Sequence, residues 1–310
     1  MNNQTVYLGI DVSKETLQID SFDSKQTIIP NSKQALRSLI RRIKAQGGMM
    51  ICCEATGGYE RLLVTELIAA QIPVGVLNPR HVRDFAKSKG ILAKTDKIDA
   101  SMITLFAQQN NPKSFEPQPE WINQLQSLLT RRDETLRMIT QDNNRLEPAP
   151  ALEVSRMIKS HIRFLQRQVQ TIEKKLNMMV KDVQELNDLY TRFTQVKSIG
   201  MISALHLIGF VPELGKITDR QAAALVGVAP FNDDSGKKKG LRRIQGGRSK
   251  VRKALYMAAI SASLHNPILK DFYQRLIANG KTPKMALTAI MRKLVVLVNR
   301  IATDPEFKIA

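Results

Sequence analysis

Apolar and polar positions alternate in short bursts at the start of the chain. "TVYLGID" (5–11), "TLQIDSF" (16–22) and "QTIIP" (26–30) carry the two-residue period of half-buried strands with turn residues between them. The period then lengthens. "SKQALRSLIRRIKAQGG" has Ser32 as an N-cap, an amphipathic body and a Gly pair as terminator. "MMICCEA" is a continuous apolar run expected to be a buried strand, "YERLLVTELIAAQ" a helix and "PVGVL" a strand. "PRHVRDFAKSKG" is a helix with Pro79 in its first turn. This succession predicts an α/β domain opening on an antiparallel meander.

From Ile122 the period changes again. Positions 122, 125, 129, 132, 136, 139, 143 and 146 form a heptad seam broken by Arg132 and Asn143, until the prolines of "EPAPA" end the helix. A second seam runs through Ile158, Ile162, Leu165, Val169, Ile172, Leu176, Met179, Val183 and Leu186. So narrow a stripe predicts a coiled coil joining two copies of the chain, with a hairpin folded on its own domain as the alternative. Beyond Tyr190, "VKSIGMISALHLIGFV" reads as a helix-hairpin-helix offering backbone N–H groups to phosphate, or else as a tight helical corner. "KVRKALYMAAISASLHNP" and "TPKMALTAIMRKLVVLVNRIA" have the apolar faces of core helices.

Charge narrows the partner. The 310 residues carry 47 Lys and Arg against 28 Asp and Glu, a formal charge of +19, so a polyanion is expected, and nucleic acid is the first choice because the charge occupies Gly-containing loops as well as helices. No apolar run is long enough to span a membrane, and the N-terminus lacks the pattern of a secretion signal, so a cytoplasmic protein without membrane contact is expected. Cys52 and Cys53 are adjacent on a strand and point to opposite faces, which predicts packing residues.

Four carboxylates stand where chemistry could use them. Asp11 ends the first strand, Glu54 follows "MMICC", and Asp96 and Asp99 are three apart in "AKTDKIDAS", which puts them on one helical face. Four oxygen ligands at one sheet edge would suit Mg²⁺, and a pair of such ions can stabilise both oxygens of a phosphodiester displacement. Singly, each acid has an ordinary reading as a turn former, a helix-dipole partner or an ion pair. The Gly57–Gly58 turn behind Glu54 could let backbone approach a phosphate.

The second chemical segment is "APFNDDSGKKKGLRRIQGGRSK" (229–250). From Gly236 to Tyr256 it carries Lys237, Lys238, Lys239, Arg242, Arg243, Arg248, Lys250, Arg252 and Lys253 without an acid. A charge run is ordinarily a solvated surface, but interleaved glycines would let this one close around a phosphate. Serine needs activation to act as a nucleophile, and Ser235 has no histidine in sequence reach.

Together, "GIDVSK", "EATGGY", "KTDKIDA", "GVAPFNDDSGKKKG" and "GGRSKVRKALYMAA" resemble the DEDD-type transposases of bacterial insertion sequences, the IS-one-ten family, which is similar to the Piv site-specific DNA invertases. The match runs the whole length. The resemblance implies a ribonuclease-H-like, RuvC-like α/β domain at 1–115, a coiled-coil dimerisation region at 116–190, and a mostly helical transposase domain at 191–310. It implies that Asp11, Glu54, Asp96 and Asp99 are a catalytic, Mg²⁺-binding tetrad, and that Ser235 is the catalytic nucleophile. Ser249 is the other hydroxyl of the segment. It further implies a phosphoserine link to DNA, donor and target DNA chosen by a structured bridge RNA, and dimers assembling to tetramers. Lys237, Lys238, Lys239, Arg242, Arg243, Arg248, Lys250 and Arg252 are the expected nucleic-acid contacts. An aromatic content of 5% leaves little for base stacking, which fits specificity lying partly in RNA. The rival readings are a RuvC-like nuclease using activated water, a non-catalytic nucleic-acid scaffold, and an actin-like ATPase, for which the second phosphate loop is missing.

Overall fold

The computed structural model describes residues 6–20, 26–93, 95–148, 150–231, 243–304 and 306–307. The chain forms two compact units, Met1–Pro117 and Gln118–Ala310, the first α/β and the second, among the described residues, helical apart from one short antiparallel strand pair.

In the first unit, β1 (Val6–Val12), β2 (Thr16–Ile19) and β3 (Thr27–Pro30) form the expected meander, and β4 (Met49–Glu54) and β5 (Val74–Leu77) extend it in parallel. The sheet order is β3-β2-β1-β4-β5. Helix α1 (Lys33–Gln46) begins where Ser32 Oγ accepts from Ala35 N and ends at Gly47 with φ of 67°. Helices α2 (Arg61–Ala69), α3 (Pro79–Ser88) and α4 (Asp96–Asn110) complete the unit. Strand alternation separates two cores. Leu8, Ile10, Ile51 and Cys53 pack with α1 and α2, while Met50, Cys52, Val82 and Ile103 pack on the face that α3 and α4 cover. The adjacent cysteines therefore serve different cores, and burial pushes the Cys52 thiol up to about 12.

The second unit begins with a long hairpin, α5 (Glu120–Leu146) and α6 (Leu152–Asp182), broken as expected at the prolines. Helices α7 (Gln184–Thr194), α8 (Met201–Phe210), α9 (Asp219–Val226), α10 (Ser249–His265), α11 (Pro267–Ala278) and α12 (Pro283–Thr303) follow. Their shared core includes Leu125, Leu129, Leu176, Leu205, Leu255 and Leu294. Helices α9 and α11 had no sequence expectation, because short helices give too few turns for a period to emerge.

The heptad reading needs correction. The α6 positions Ile162, Leu165, Val169, Ile172, Leu176 and Met179 are buried within a single chain, so this seam is filled by the hairpin and the core beneath it. The second seam also stops early: α6 ends at Asp182, Val183 is extended, and Leu186 belongs to α7. On α5 the distal face shifts by one residue. Thr135 and Asp142 are buried, whereas the seam positions Leu136 and Asn143 are exposed. A helix of 3.6 residues per turn drifts from a seven-residue repeat, and two cross-hairpin polar pairs fix the face that results. Arg132 reaches Glu173 at 2.8 Å, and Asp142 accepts from His161 at 2.6 Å and from Arg145 at 2.7 Å. Burial opposes ionisation of Asp142, but these two partners hold its carboxyl below the usual range. No described helix is long and apolar enough to cross a membrane.

Candidate active site

Register places the acids of the first unit. β1 and β4 are parallel, with Ile10 opposite Cys53, so Asp11 and Glu54 stand one residue further along on neighbouring strands. Alternation puts both on the face covered by α3 and α4. Helix α4 crosses this face against the direction of β1. Its C-terminal end is marked by Asn111 Oδ1 accepting from Tyr7 Oη at 3.2 Å, and its middle by Thr104 Oγ1 accepting from Gly9 N at 2.8 Å. Its first turn, with Asp96 and Asp99, therefore lies toward the Asp11 end of the strand. Thr95 caps that turn by accepting from Ile98 N. Asp20 anchors it, accepting from Ser101 Oγ at 2.7 Å, while Gln26 Nε2 donates to the Lys97 carbonyl at 3.0 Å.

The close crossing depends on Gly9. A Cβ there would lie 2.6 Å from Thr104 N and 2.7 Å from Thr104 Oγ1, and closer still to the Ala100 carbonyl. The place of this glycine two residues before Asp11 in a strand is the sequence sign of such a close backbone approach.

The four acids are of the hard oxygen type Mg²⁺ takes, and the strand register and helix direction bring them toward one corner. Among the described residues, however, no three His, Cys, Asp or Glu side chains are grouped closely enough to hold a metal ion. The fold supplies their backbone placement.

The Gly57–Gly58 turn departs from expectation. Glu60 Oε2 already accepts from Thr56 Oγ1 at 2.7 Å, Gly58 N at 2.8 Å and Thr56 N at 3.2 Å. A carboxylate from the start of α2 fills the place proposed for phosphate. Burial opposes its charge, but the Thr56 and backbone donors outweigh that and hold the Glu60 carboxyl below its usual value. Because its pKa is depressed in the folded chain, Glu60 contributes stability above the ordinary glutamate value of about 4.3 and loses it as pH falls through the folded value. Glu60→Gln is expected to cost about 1 kcal/mol at pH 7 and less at pH 3, because the folded carboxyl is lowered and its contribution falls away with decreasing pH. Urea melts of the two proteins at both pH values measure this, and a difference independent of pH would contradict the assignment.

In the second unit, Ser235, Lys237, Lys238, Lys239 and Arg242 lie outside the described residues. The segment's flanks are described. Pro230–Phe231 and Arg243–Ile244 form a two-stranded antiparallel hairpin, β6 and β7, pairing Pro230 with Ile244 and Phe231 with Arg243. Behind β7, Gly246 and Gly247 have φ of 67° and 71°, and a Cβ on Gly247 would meet Val226 and Gly227 backbone. Arg248 N donates to the Leu225 carbonyl at 2.9 Å. The glycines thus seat the hairpin on the end of α9 and launch α10.

The basic set divides here. Arg248 makes a bidentate pair with Glu213, both bonds 2.5 Å, and donates to the Phe210 carbonyl at 2.8 Å. Lys250 donates to Thr130 Oγ1 at 2.7 Å and sits 4.7 Å from the Phe210 ring centroid. Arg252 donates to the Gly246 carbonyl. These three cations hold the base of the loop, while Arg243 and Lys253 are exposed, as is Ser249 at the first residue of α10.

The residues that sequence reading missed are the partners. Glu213 is one, and burial of its carboxyl is outweighed by Arg248. Asp133, paired with buried His206 at 3.2 Å, is another. Isolated acids far from the motif gave no signal of either role. The "VKSIGMISALHLIGFV" segment is a helical corner between α7 and α8, where the N–H groups of Gln195, Val196 and Ile199 bond to nearby carbonyls.

Comparison with known proteins gives this arrangement a class. Residues 8–149 match the DEDD model of the IS110 type, described as "Transposase", and residues 190–274 match "Transposase IS116/IS110/IS902 family". The class is an enzyme acting on DNA in transposition or recombination. The chain belongs to the IS110-type transposase family. Pilin gene-inverting proteins of Moraxella lacunata and Moraxella bovis are each 27% identical to it over 302 residues, covering 94% of this chain and 94% of theirs.

Proposed function

We propose that the chain is a recombinase of RuvC-like, ribonuclease-H-like fold that cuts and rejoins DNA through a phosphoserine intermediate. The observation that carries the reading is the strand register. Asp11 and Glu54 stand on neighbouring parallel strands, on the face that α4 crosses with Asp96 and Asp99 in its first turn. These four residues would hold Mg²⁺, and such an ion supplies positive charge to the attacking and leaving oxygens of a phosphodiester.

Ser235 is the nucleophile. Its Oγ forms a bond to a DNA phosphorus, the bond to one strand's oxygen breaks, and the serine proton ends on that leaving hydroxyl. A strand hydroxyl in another duplex then attacks the phosphoserine phosphorus, the Ser235 Oγ–P bond breaks and the hydroxyl's proton ends on Ser235 Oγ, so the phosphodiester count is conserved without water or a high-energy cofactor. Lys237, Lys238, Lys239, Arg242 and Arg243 clasp the phosphates flanking the scissile linkage. Arg248, Lys250 and Arg252 keep the base of that loop in place through the contacts described above.

Residues 1–115 serve as the DEDD domain, 116–190 as an assembly arm and 191–310 as the transposase domain. Because the α6 seam is filled within the chain, assembly to dimers and tetramers uses the outer hairpin surface, where Leu136, Met138 and Phe164 are exposed. A structured bridge RNA selects donor and target DNA in the cytoplasm.

The test is strand exchange between two marked duplexes in Mg²⁺ with co-purified RNA retained. Asp11→Asn, or chelation of divalent ions, is expected to lower exchange roughly 10²-fold or more. Undiminished exchange under chelation would remove metal from the reading, and broken ends without serine-linked DNA would favour the hydrolytic nuclease.

A further inference from the structure

The face of α6 opposite its buried seam has a single character. Arg156, Arg163, Arg167, Lys174 and Lys181 fall within about 20° of one line along the helix at 3.6 residues per turn, and Lys159 lies about 60° to one side. All six are exposed. No carboxylate among the described residues pairs with any of them. Between Arg156 and Lys181 the helix has one acid, Glu173, and it is turned to Arg132 of α5. The buried line of Leu165, Val169, Ile172 and Leu176 occupies the other side.

This is an unusual use of a helix surface. Exposed helices ordinarily mix signs, because pairs at i, i+4 relieve like-charge repulsion. Here repulsion is left standing over about 38 Å, from Arg156 to Lys181 at 1.5 Å per residue. That length slightly exceeds one turn of B-form DNA, about 34–36 Å. A straight ridge of cations laid along a duplex can therefore meet backbone phosphates at both its ends as well as between them. The line itself carries no aromatic ring for base stacking; the nearest, Phe164, lies about 80° round the helix. A duplex, read by its phosphates, suits it better than an unpaired strand.

We propose that the solvent face of α6 is a sequence-independent rail for the sugar–phosphate backbone of double-stranded DNA, separate from the loop that contains Ser235. The inference rests on the recombinase reading for the choice of DNA. The hairpin then has a division of labour: its inner seam holds the chain together, and the α6 ridge holds the duplex beside the transposase helices.

The experiment measures the affinity of the full-length protein for a fluorescent 30-base-pair duplex of arbitrary sequence as a function of salt. Arg163→Gln/Arg167→Gln/Lys174→Gln keeps side chains compatible with a helix and removes three charges. Its Kd is expected to rise at least about tenfold near 0.1 M salt, and the slope of log affinity against log salt to fall by roughly 2.7, from 0.9 per phosphate. Arg163→Lys/Arg167→Lys should keep the wild-type slope. Lys270→Gln/Lys281→Gln/Lys284→Gln, which lowers net charge equally, should change Kd by less than about threefold. An unchanged triple variant, or an equal loss in the second triple, would overturn the rail while leaving the recombinase intact. A loss confined to an RNA duplex of the same length would overturn the assignment to DNA. Failure of the wild-type protein to bind any duplex would remove both readings together.

Discussion

Ser235→Ala is expected to eliminate the covalent protein–DNA species on denaturing gels and to reduce strand exchange by several orders of magnitude. DNA affinity should change by less than about tenfold, since one hydroxyl removes at most one modest hydrogen bond. The pattern follows from chemistry that no neighbour can replace. Alanine cannot form the phosphoester, whereas a lost basic contact weakens binding by degrees. Ser249→Ala is the paired control. Ser249 is exposed at the first residue of α10, behind the β6–β7 hairpin that pins the ends of the segment carrying Ser235, and its loss should leave the adduct intact. An adduct that survives Ser235→Ala but vanishes in Ser249→Ala would exchange the two roles.

Gly9→Ala should be nearly as damaging without touching a reacting group. The added carbon would press on the Ala100 carbonyl and on Thr104 N, both backbone atoms of α4, and on Thr104 Oγ1, which accepts from Gly9 N. Trimming a side chain cannot relieve a collision with helix backbone, so α4 must shift from β1 or the strand must bend. Overpacking of this kind costs typically 1–3 kcal/mol, and loss of the buried Gly9–Thr104 hydrogen bond adds about 1 kcal/mol. A fall of about 3 kcal/mol in urea melts is therefore expected. Strand exchange should fall with it, because the first turn of α4 carries Asp96 and Asp99. Thr104→Ala adds no collision; it removes a methyl and both hydrogen bonds of Oγ1, the one accepted from Gly9 N and the one donated to the Ala100 carbonyl, and should cost about 1–3 kcal/mol. A fully stable, active Gly9→Ala protein would show that the α4 crossing does not set the acidic corner.

Much of the first unit was legible because its elements are short and locally punctuated. Ser32, Thr95 and Asn78 each accept from a helix N–H where capping chemistry requires, and strand alternation alone assigned Cys52 and Cys53 to opposite cores. What a period cannot report is the partner. The α6 stripe had to be buried, but only packing decided that its neighbours are α5 and the helical core of the same chain. The Gly57–Gly58 turn is a local case: glycine spacing revealed a backbone with N–H donors, and Glu60, two to four residues further along, takes those of Gly58 and Thr56.

By itself the sequence determined the α/β start, the helical remainder, the acids at the ends of β1 and β4, and a charge of +19 that calls for a polyanion. Each of these depends on neighbours along the chain or on totals. Tertiary structure alone decided that α4 lies across Gly9, that Arg248 is spent on Glu213, and that the cations of α6 line one exposed edge of a hairpin whose other side is filled. Those outcomes depend on residues tens of positions apart meeting through close packing and desolvated hydrogen bonds, and no local pattern records which distant partner will arrive.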